Sequence, residues 1–235
     1  MPNSPMQKPY TIMLVAVSLD GKISPRRRPG EVNPIGPPLI DPNIMQLHNS
    51  QRARVDAVMV GLNCILLDDS RLTLHGAQGK NPARVVLDGL AEMPLTAKVL
   101  NDEASTIVAV SADAPPHRVH ALSARGANIV VSGRGKFVDL PRLLRQLRQE
   151  YKIHRLLVEG GGTVHRSMLA RNLYDEIQLI MCPFIIGGST SITPVERRPF
   201  SIDRGIPHYR LENVEVLGDY MYVVYKPRVP AGIVE

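Results

Sequence analysis

A turn of three glycines at 160–162 is the segment best suited to chemistry. It follows the acidic residue Glu159 and an apolar run at 156–158, and a helical pattern begins after it. Ligands of open α/β sheets bind beyond the carboxyl ends of the strands, where a helix amino terminus favours an anion. Three consecutive glycines allow the backbone to approach such a ligand closely. We therefore expect this turn to bind a phosphate or pyrophosphate, and its alternative role is a tight turn that needs positive φ angles.

The glycine turn does not name its ligand. It has neither the GxGxxG pattern nor the lysine-containing Walker pattern of other phosphate loops. Glu159 ends the apolar run, so it is expected to accept a hydrogen bond from a substrate or to be a solvated loop charge. In either case its removal is expected to leave folding and cofactor binding intact.

Two adjacent carboxylates, Asp68 and Asp69, end the segment 60–69. Such a pair could act in acid–base chemistry, bind a metal or simply mark the end of a helix. Magnesium would need more oxygen ligands, and the neighbouring sequence offers only Ser70 and Thr73. We expect no metal here, and two cysteines are too few for a disulfide framework or a four-cysteine zinc site.

Arg52 is a further candidate because of its spacing. Ile44, His48 and Arg52 recur every four residues, which places them on one face of a predicted helix. An arginine on the same face as a core residue could bind a phosphate in a pocket at the sheet edge, or it could form a plain surface ion pair. Asp20, beside Gly21, is typical of an ordinary turn at the end of a strand.

The elements that must position these residues are strands alternating with helices. This order indicates a mostly parallel α/β sheet, and the turn Leu217-Gly218-Asp219 indicates a hairpin that gives it an antiparallel edge. We expect a flexible arm at 1–9, one domain at 10–228 and a tail at 229–235. The predicted strands are 11–17, 55–60, 84–87, 106–110, 128–131, 155–158, 176–182, 209–217 and 220–225, and the predicted helices are 42–53, 63–67, 116–124, 140–151 and 163–172.

Composition limits the class of protein. The chain has 235 residues, 44% of them hydrophobic, which is enough for a sizeable core. No apolar run approaches the ~18 residues of a membrane span, and the first ten residues do not form a secretory signal, so a cytoplasmic protein is expected. The net charge of +6 suits phosphate-bearing ligands. The triplet Arg26-Arg27-Arg28 in the proline-rich segment 25–38 has no aromatic cluster beside it, so we expect a solvated loop and no nucleic acid.

Taken together, several of these segments resemble the reductase family of riboflavin biosynthesis. That family comprises the C-terminal half of bacterial bifunctional deaminase-reductases and stand-alone archaeal and fungal proteins. The resemblance covers roughly residues 10–225 and implies a fold like dihydrofolate reductase, which is a mixed, mostly parallel sheet flanked by helices, usually in a homodimer. The segments that carry it are 18–22, 52–57, 66–73, 81–88, 158–163 and 183–188.

The resemblance implies a reaction and a set of site residues. The family uses a nicotinamide cofactor, NADPH, to reduce the ribosyl group of 2,5-diamino-6-(ribosylamino)-4(3H)-pyrimidinone 5′-phosphate, or its deaminated form, to ribityl. Glu159 and Asp68 are the implied catalytic residues. The implied substrate-binding residues are Asp20, Arg52, Leu72, His75 and Glu159, with Arg52 at the 5′-phosphate and Glu159 at the pyrimidine. The implied cofactor-binding residues are Cys64, Asp68, Gly89, Gly161, Gly162, Thr163 and Val164.

Some positions depart from the family. Cys64 stands where threonine is expected, and Leu14 stands where bacterial members carry a lysine near the reacting sugar. The segment 25–38 does not match the family's shorter loop. After the strand at 84–87, residues 89–92 offer no cation for the 2′-phosphate of NADPH, so we expect Arg134 or Lys136 to compensate and the preference for NADPH over NADH to be weak.

Alternatives to this reductase stay open. The zinc motifs of the fused deaminase, H-x-E and P-C-x-x-C, are absent, so a stand-alone reductase is expected. A related reductase could instead act on a pterin, dihydrofolate or another imine or carbonyl substrate. A relative that binds nucleotides without catalysis is the alternative of a different class.

Overall fold

A computed structural model describes residues 7–201 and 205–228 of the chain. The predicted tail at 229–235 and most of the predicted arm at 1–9 lie outside these residues. The strands are β1 (Tyr10–Ser18), β2 (Ala57–Gly61), β3 (Ala83–Leu87), β4 (Thr106–Val110), β5 (Asn128–Val131), β6 (Arg155–Gly160), β7 (Glu176–Cys182), β8 (Tyr209–Leu217) and β9 (Tyr220–Pro227). The helices are α1 (Pro42–Arg52), α2 (Leu62–Asp68), α3 (Pro116–Ala124), α4 (Leu140–Gln149) and α5 (Gly162–Leu169), with a 3₁₀ turn at Lys98–Leu100.

The strands form one sheet in the order β5-β4-β3-β2-β6-β1-β7-β9-β8. The strands from β5 across to β7 pair in parallel, whereas β9 pairs antiparallel with both β7 and β8. The predicted class, a mostly parallel sheet with an antiparallel carboxyl-terminal edge, is therefore confirmed. The predicted hairpin is confirmed as well, because Gly218 and Asp219 alone separate β8 from β9.

Both faces of the sheet are packed against helices because the inner strands are apolar on both sides. On one face, Ile12 and Leu14 of β1 belong to the same buried cluster as residues of α1, α2 and α3. On the other face, Met13 and Val15 pack with α4 and α5. The leucines of α4 recur at helical spacing and all four are buried, as its sequence pattern predicts.

Local capping sets where the important helices begin. The side chain of Asp41 accepts a hydrogen bond from the Asn43 amide at 2.8 Å, and Pro42 is the first helical residue, which confirms the predicted start of α1. Asp139 accepts from the Arg142 amide and caps α4 in the same way. Helix α5 is shorter than predicted and ends at Leu169.

The parallel strands end together at one edge of the sheet, which brings their following turns close together. Glu159 lies in an irregularity at this edge, because the pairing of β6 with β2 passes from Val158 opposite Met59 to Gly160 opposite Val60. A bulge of this kind leaves one residue unpaired and redirects the backbone, and bulges are common beside active sites.

Candidate active site

The centre of the site is an ion pair between Arg52 at the end of α1 and Glu159 of β6. Arg52 Nε donates to Glu159 Oε1 at 2.7 Å, and Arg52 Nη2 donates to Oε2 at 2.8 Å. The side chains are only 8% and 9% exposed. Arg52 also donates from Nη1 to the carbonyl of Thr73 at 2.5 Å. Glu159 is thus not a solvated charge and Arg52 is not in a surface ion pair, since both lie in the protein interior.

Burial acts to raise the pKa of Glu159, but the Arg52 charge and its hydrogen bonds outweigh burial and lower that pKa to about 2. Glu159 is consequently ionised at neutral pH and can only accept hydrogen bonds. The expectation that folding does not depend on Glu159 needs correction as well. Removal of this carboxylate would leave the buried guanidinium of Arg52 without its counter-ion.

Two histidines, His48 and His75, lie close enough to this ion pair for its charges to affect their pKa values. Burial is the main cause that lowers the pKa of His48. The Arg52 charge lowers this pKa further, whereas the Glu159 charge raises it. Burial and the Arg52 charge also lower the pKa of His75. The Nδ1 atom of His48 is buried and has no hydrogen-bond partner in the described part of the chain. The helical spacing of His48 is visible in the sequence, but no sequence pattern places this residue in the site.

The segment that follows α2 has an unusual backbone, and it contains two predicted substrate-binding residues. Asp69, Leu72 and His75 have φ angles of 43°, 55° and 46°, which are uncommon for residues other than glycine. Leu72 is buried, whereas His75 lies in the wall of an open pocket of about 400 Å³. Backbone conformations of this kind cluster at functional sites. The Thr73 carbonyl that accepts from Arg52 belongs to the same segment.

The glycine turn leads from β6 into α5 and leaves space in front of Gly160 and Gly161, whereas Gly162 packs closely against Glu196. Gly160 has a φ of 143°, which favours glycine. A Cβ atom placed on Gly161 would meet only the Cys64 sulfur, at 3.7 Å, and one on Gly160 would meet only that sulfur and the His165 ring. The first amides of α5, at Gly162 and Thr163, have no acceptor within the helix. Binding of a phosphate or pyrophosphate at this turn stays a prediction.

Cys64 faces this space from α2. Burial foremost raises the pKa of its thiol to about 12, so the thiol is neutral at physiological pH. A neutral thiol is a weak hydrogen-bond donor where the family resemblance leads us to expect a threonine hydroxyl. Val164, also predicted to bind the cofactor, is buried in the first turn of α5.

Asp68 is paired with a residue of the proline-rich segment. Arg27 Nη2 donates to Asp68 Oδ1 at 2.7 Å, and Arg27 also donates to the Ser24 hydroxyl and the Glu31 carbonyl. The Arg27 side chain is 5% exposed. The prediction of a solvated basic triplet is thus wrong for Arg27, because its guanidinium finds three partners, although Arg26 and Arg28 are exposed.

Asp20 organises the edge of the site through backbone contacts. Its carboxylate accepts from the Ser18 hydroxyl at 2.6 Å and from the amides of Ile186 and Gly187 at 3.0 and 2.8 Å. These hydrogen bonds, that of Ser18 foremost, lower the pKa of Asp20 to about 2. Asp20 therefore joins the turn after β1 to the segment after β7, and its contact with substrate stays a prediction.

The turn after β3 lies against the loop after β5. A Cβ atom on Gly89 would lie 2.3 Å from the Lys136 carbonyl oxygen, so glycine is required for this approach. The loop that contains Arg134 and Lys136 therefore lies alongside the turn after β3, which offers no cation of its own. Arg134 is exposed, and its contact with a cofactor stays a prediction. Arg197, to which no sequence pattern points, donates to the Thr163 hydroxyl at 3.3 Å.

The described residues show neither a candidate metal site nor a candidate membrane span. No group of three or more His, Cys, Asp or Glu side chains in residues 7–201 and 205–228 is arranged to hold a metal ion. No helix within the same residues is both long and apolar enough to cross a membrane.

This combination of fold and site is typical of α/β enzymes that bind a dinucleotide. Its features are a mostly parallel sheet, a glycine turn that opens onto a helix amino terminus, and a buried ionised acceptor beside that turn. A family model described as the RibD C-terminal domain matches residues 9–223. The chain belongs to this family.

Individual relatives agree with this assignment. The chain is 40% identical over 223 residues to the 2,5-diamino-6-ribosylamino-4(3H)-pyrimidinone 5′-phosphate reductase of Methanothermobacter thermautotrophicus, a match covering 93% of this chain and 98% of that one. It is 38% identical to the enzyme of the same name from Archaeoglobus fulgidus, covering 90% and 95%. A solved structure of RibD from Acinetobacter baumannii matches with a TM-score of 0.76 and 25% identity, covering 94% of this chain and 58% of that one.

Proposed function

We propose that this protein is a reductase of riboflavin biosynthesis that uses NADPH to convert the ribosyl group of 2,5-diamino-6-(ribosylamino)-4(3H)-pyrimidinone 5′-phosphate to ribityl. Relatives that carry this name match nearly the whole length of the chain. The observation that carries the proposal is the buried, ionised Glu159 directly before the glycine turn. A carboxylate so placed is suited to bind the donor groups of an aminopyrimidine.

Arg52 is a positioning residue in this proposal. It fixes both oxygens of Glu159 in one plane through its guanidinium fork, and the Thr73 carbonyl fixes the guanidinium in turn. Three of its five N–H donors are thereby used within the protein. Its additional role at the 5′-phosphate stays a prediction, and His75 in the neighbouring pocket is a second candidate for that group.

The residues around the glycine turn would hold the cofactor. The amides of Gly162 and Thr163 would bind its pyrophosphate, and Cys64 and Asp68 of α2 would also contact it. Bound there, a nicotinamide cofactor supplies hydride chemistry.

The reduction of a ring-opened ribosylamine adds a hydride to C1′ and a proton to the attached nitrogen. Glu159 cannot supply that proton at neutral pH, because its pKa of about 2 keeps it ionised. Its role is to orient the substrate so that C1′ is held in one position.

The test compares substrates and follows the absorbance of NADPH. We expect oxidation of NADPH with the ribosylaminopyrimidine phosphate and none with dihydrofolate. Oxidation with dihydrofolate alone would replace this proposal with a dihydrofolate or pterin reductase. Oxidation with neither, together with tight NADPH binding, would indicate a nucleotide-binding protein without catalysis.

We further propose that the active form is a homodimer, joined through one face of the β8–β9 hairpin. Leu211, Val214 and Val216 of β8 pair with Tyr225, Val223 and Met221 of β9 and share a face with them. The three β8 residues are 53%, 43% and 70% exposed. An exposed apolar sheet face at an edge is a hazard for a monomer, and a second copy of the chain would cover it.

A further inference from the structure

Three exposed side chains from two separate loops form a cluster at the carboxyl edge of the sheet. The Lys136 ammonium lies 5.4 Å from the centre of the Phe137 ring, and the Arg197 guanidinium carbon lies 5.2 Å from it. The Phe137 ring is 54% exposed. In the described part of the chain neither cation has a carboxylate partner. An exposed ring with two unpaired cations on it is suited to a ligand that has both an aromatic base and an anionic group.

The loop that carries Arg197 is fixed on α5 by several contacts. The Arg166 guanidinium of α5 lies 3.7 Å from the Phe200 ring centre, and Arg166 Nε donates to the Arg198 carbonyl at 2.8 Å. The Glu196 amide donates to the Gly162 carbonyl at 3.2 Å. The position of Arg197 is therefore set by the helix that begins at the glycine turn.

The cluster also lies where the sequence leaves the cofactor without a cation. Arg197 Nε donates to the hydroxyl of Thr163, in the first turn of α5. On the other side of the cluster, the Lys136 carbonyl packs against Gly89. Gly89 begins the segment 89–92, which contains no lysine or arginine. The cluster thus lies between the predicted pyrophosphate site and the end of β3.

We propose that Arg197 binds the 2′-phosphate of NADPH, while Phe137 stacks on the adenine and Lys136 adds a second positive charge. The inference rests on the proposed use of a nicotinamide cofactor at the glycine turn. Arginine binds phosphate oxygens with two parallel hydrogen bonds, and its planar group stacks on an aromatic ring at the same time. This assignment makes Arg197 the residue that distinguishes NADPH from NADH.

The test measures the binding of two adenosine nucleotides by calorimetry without any turnover. Adenosine 2′,5′-bisphosphate and AMP differ only in the 2′-phosphate. We expect Arg197→Ala to weaken the bisphosphate at least tenfold and AMP less than twofold, with Arg197→Lys in between. Phe137→Ala should weaken both nucleotides by similar factors. Arg198→Ala is the matched control, because it removes an equal charge from the next exposed residue and should change neither affinity by more than twofold.

Three results would overturn the inference. They are an unchanged affinity for the bisphosphate in Arg197→Ala, an equal loss for both nucleotides, and a selective loss in Arg134→Ala alone. If the unmodified protein oxidises NADPH with the pyrimidine substrate but binds the bisphosphate no more tightly than AMP, this inference fails and the proposed function stands. If the selective loss is found without any oxidation of NADPH, the inference stands and the proposed function fails.

Discussion

Arg52 and Glu159 are 107 residues apart in the sequence, and their side chains meet in the interior through two hydrogen bonds of 2.7 and 2.8 Å. The pair connects the end of α1 to the end of β6, and through the Thr73 carbonyl it also connects the segment after α2. One buried ion pair thereby fixes three elements around the place where substrate is proposed to bind. Its contribution to activity and to stability can be separated by substitution.

Glu159→Gln should lower kcat/KM for the pyrimidine substrate well beyond tenfold, because a neutral amide holds the donor groups of the substrate less strongly. Glu159→Ala should in addition lower the free energy of unfolding by about 3–5 kcal/mol, since it leaves a buried guanidinium without a counter-ion. Steady-state kinetics and urea unfolding measure the two effects. Full activity of Glu159→Gln would show that this carboxylate has only a structural role.

The double variant Arg52→Met/Glu159→Leu is the control for this interpretation. Replacing both charges with apolar groups removes the unpaired ion, so the unfolding free energy should recover much of the loss seen in Glu159→Ala. Activity should not recover, because the acceptor for the substrate is still missing. Recovery of activity along with stability would contradict the proposed contact between Glu159 and the pyrimidine.

The unfolding free energy should fall as the pH is lowered from about 6.5 towards 4, owing in part to His165. Burial foremost lowers the pKa of His165 to about 4, and its Nδ1 atom lies 2.6 Å from the Tyr174 hydroxyl. Between these pH values the unfolded chain binds the proton more readily, so protonation favours unfolding. The contribution lost should be about 2–3 kcal/mol by pH 4.5.

His165→Asn tests this assignment, since an amide can retain the contact with the Tyr174 hydroxyl but does not titrate. Urea unfolding at pH 7 and pH 4.5 should show a smaller pH-dependent loss for the variant than for the unmodified protein. Burial also lowers the pKa of His48 and of His75, so part of the dependence should remain. An identical loss in both proteins would exclude His165 as a source.

A double-mutant cycle can separate two roles of Asp68, which is bound to Arg27. If Asp68 also contacts the cofactor, Asp68→Ala should lower kcat/KM for NADPH at least tenfold, whereas Arg27→Ala should lower it less than about fivefold. Asp68→Ala should then still reduce activity in the Arg27→Ala background. Equal activities of the two single variants and the double variant would mean that Asp68 serves only to anchor the segment 25–38.

Val216→Lys should convert the proposed dimer to a monomer, because it places a charge on the exposed apolar face of β8 at its most exposed residue. Glu215→Lys is the matched control, since the neighbouring side chain points to the opposite face of the strand. Analytical ultracentrifugation measures the mass of each variant. A monomeric unmodified protein, or a dimer that persists in Val216→Lys, would rule out this interface.

The helices and strands, and their order along the chain, follow from local sequence patterns. Residues 11–17 are apolar on both faces of a strand, the leucines of α4 recur at helical spacing, and Asp41 with Pro42 marks the start of α1. These signals are local, because the period of side chains along a strand or helix and the capping of a helix end involve residues only a few positions apart. The glycine turn could be located for the same reason, together with its position between a strand and a helix.

Contacts between polar groups distant in sequence depend instead on the folded chain. Arg52 pairs with Glu159, Arg27 with Asp68 and Arg197 with Thr163, across separations of 107, 41 and 34 residues. No local pattern predicts such pairs, because an ion leaves water only where the fold supplies a partner at hydrogen-bond distance and compensates for its lost hydration. A basic triplet in a proline-rich loop therefore looked solvated in sequence, and only the folded chain shows that its middle arginine is held at the site.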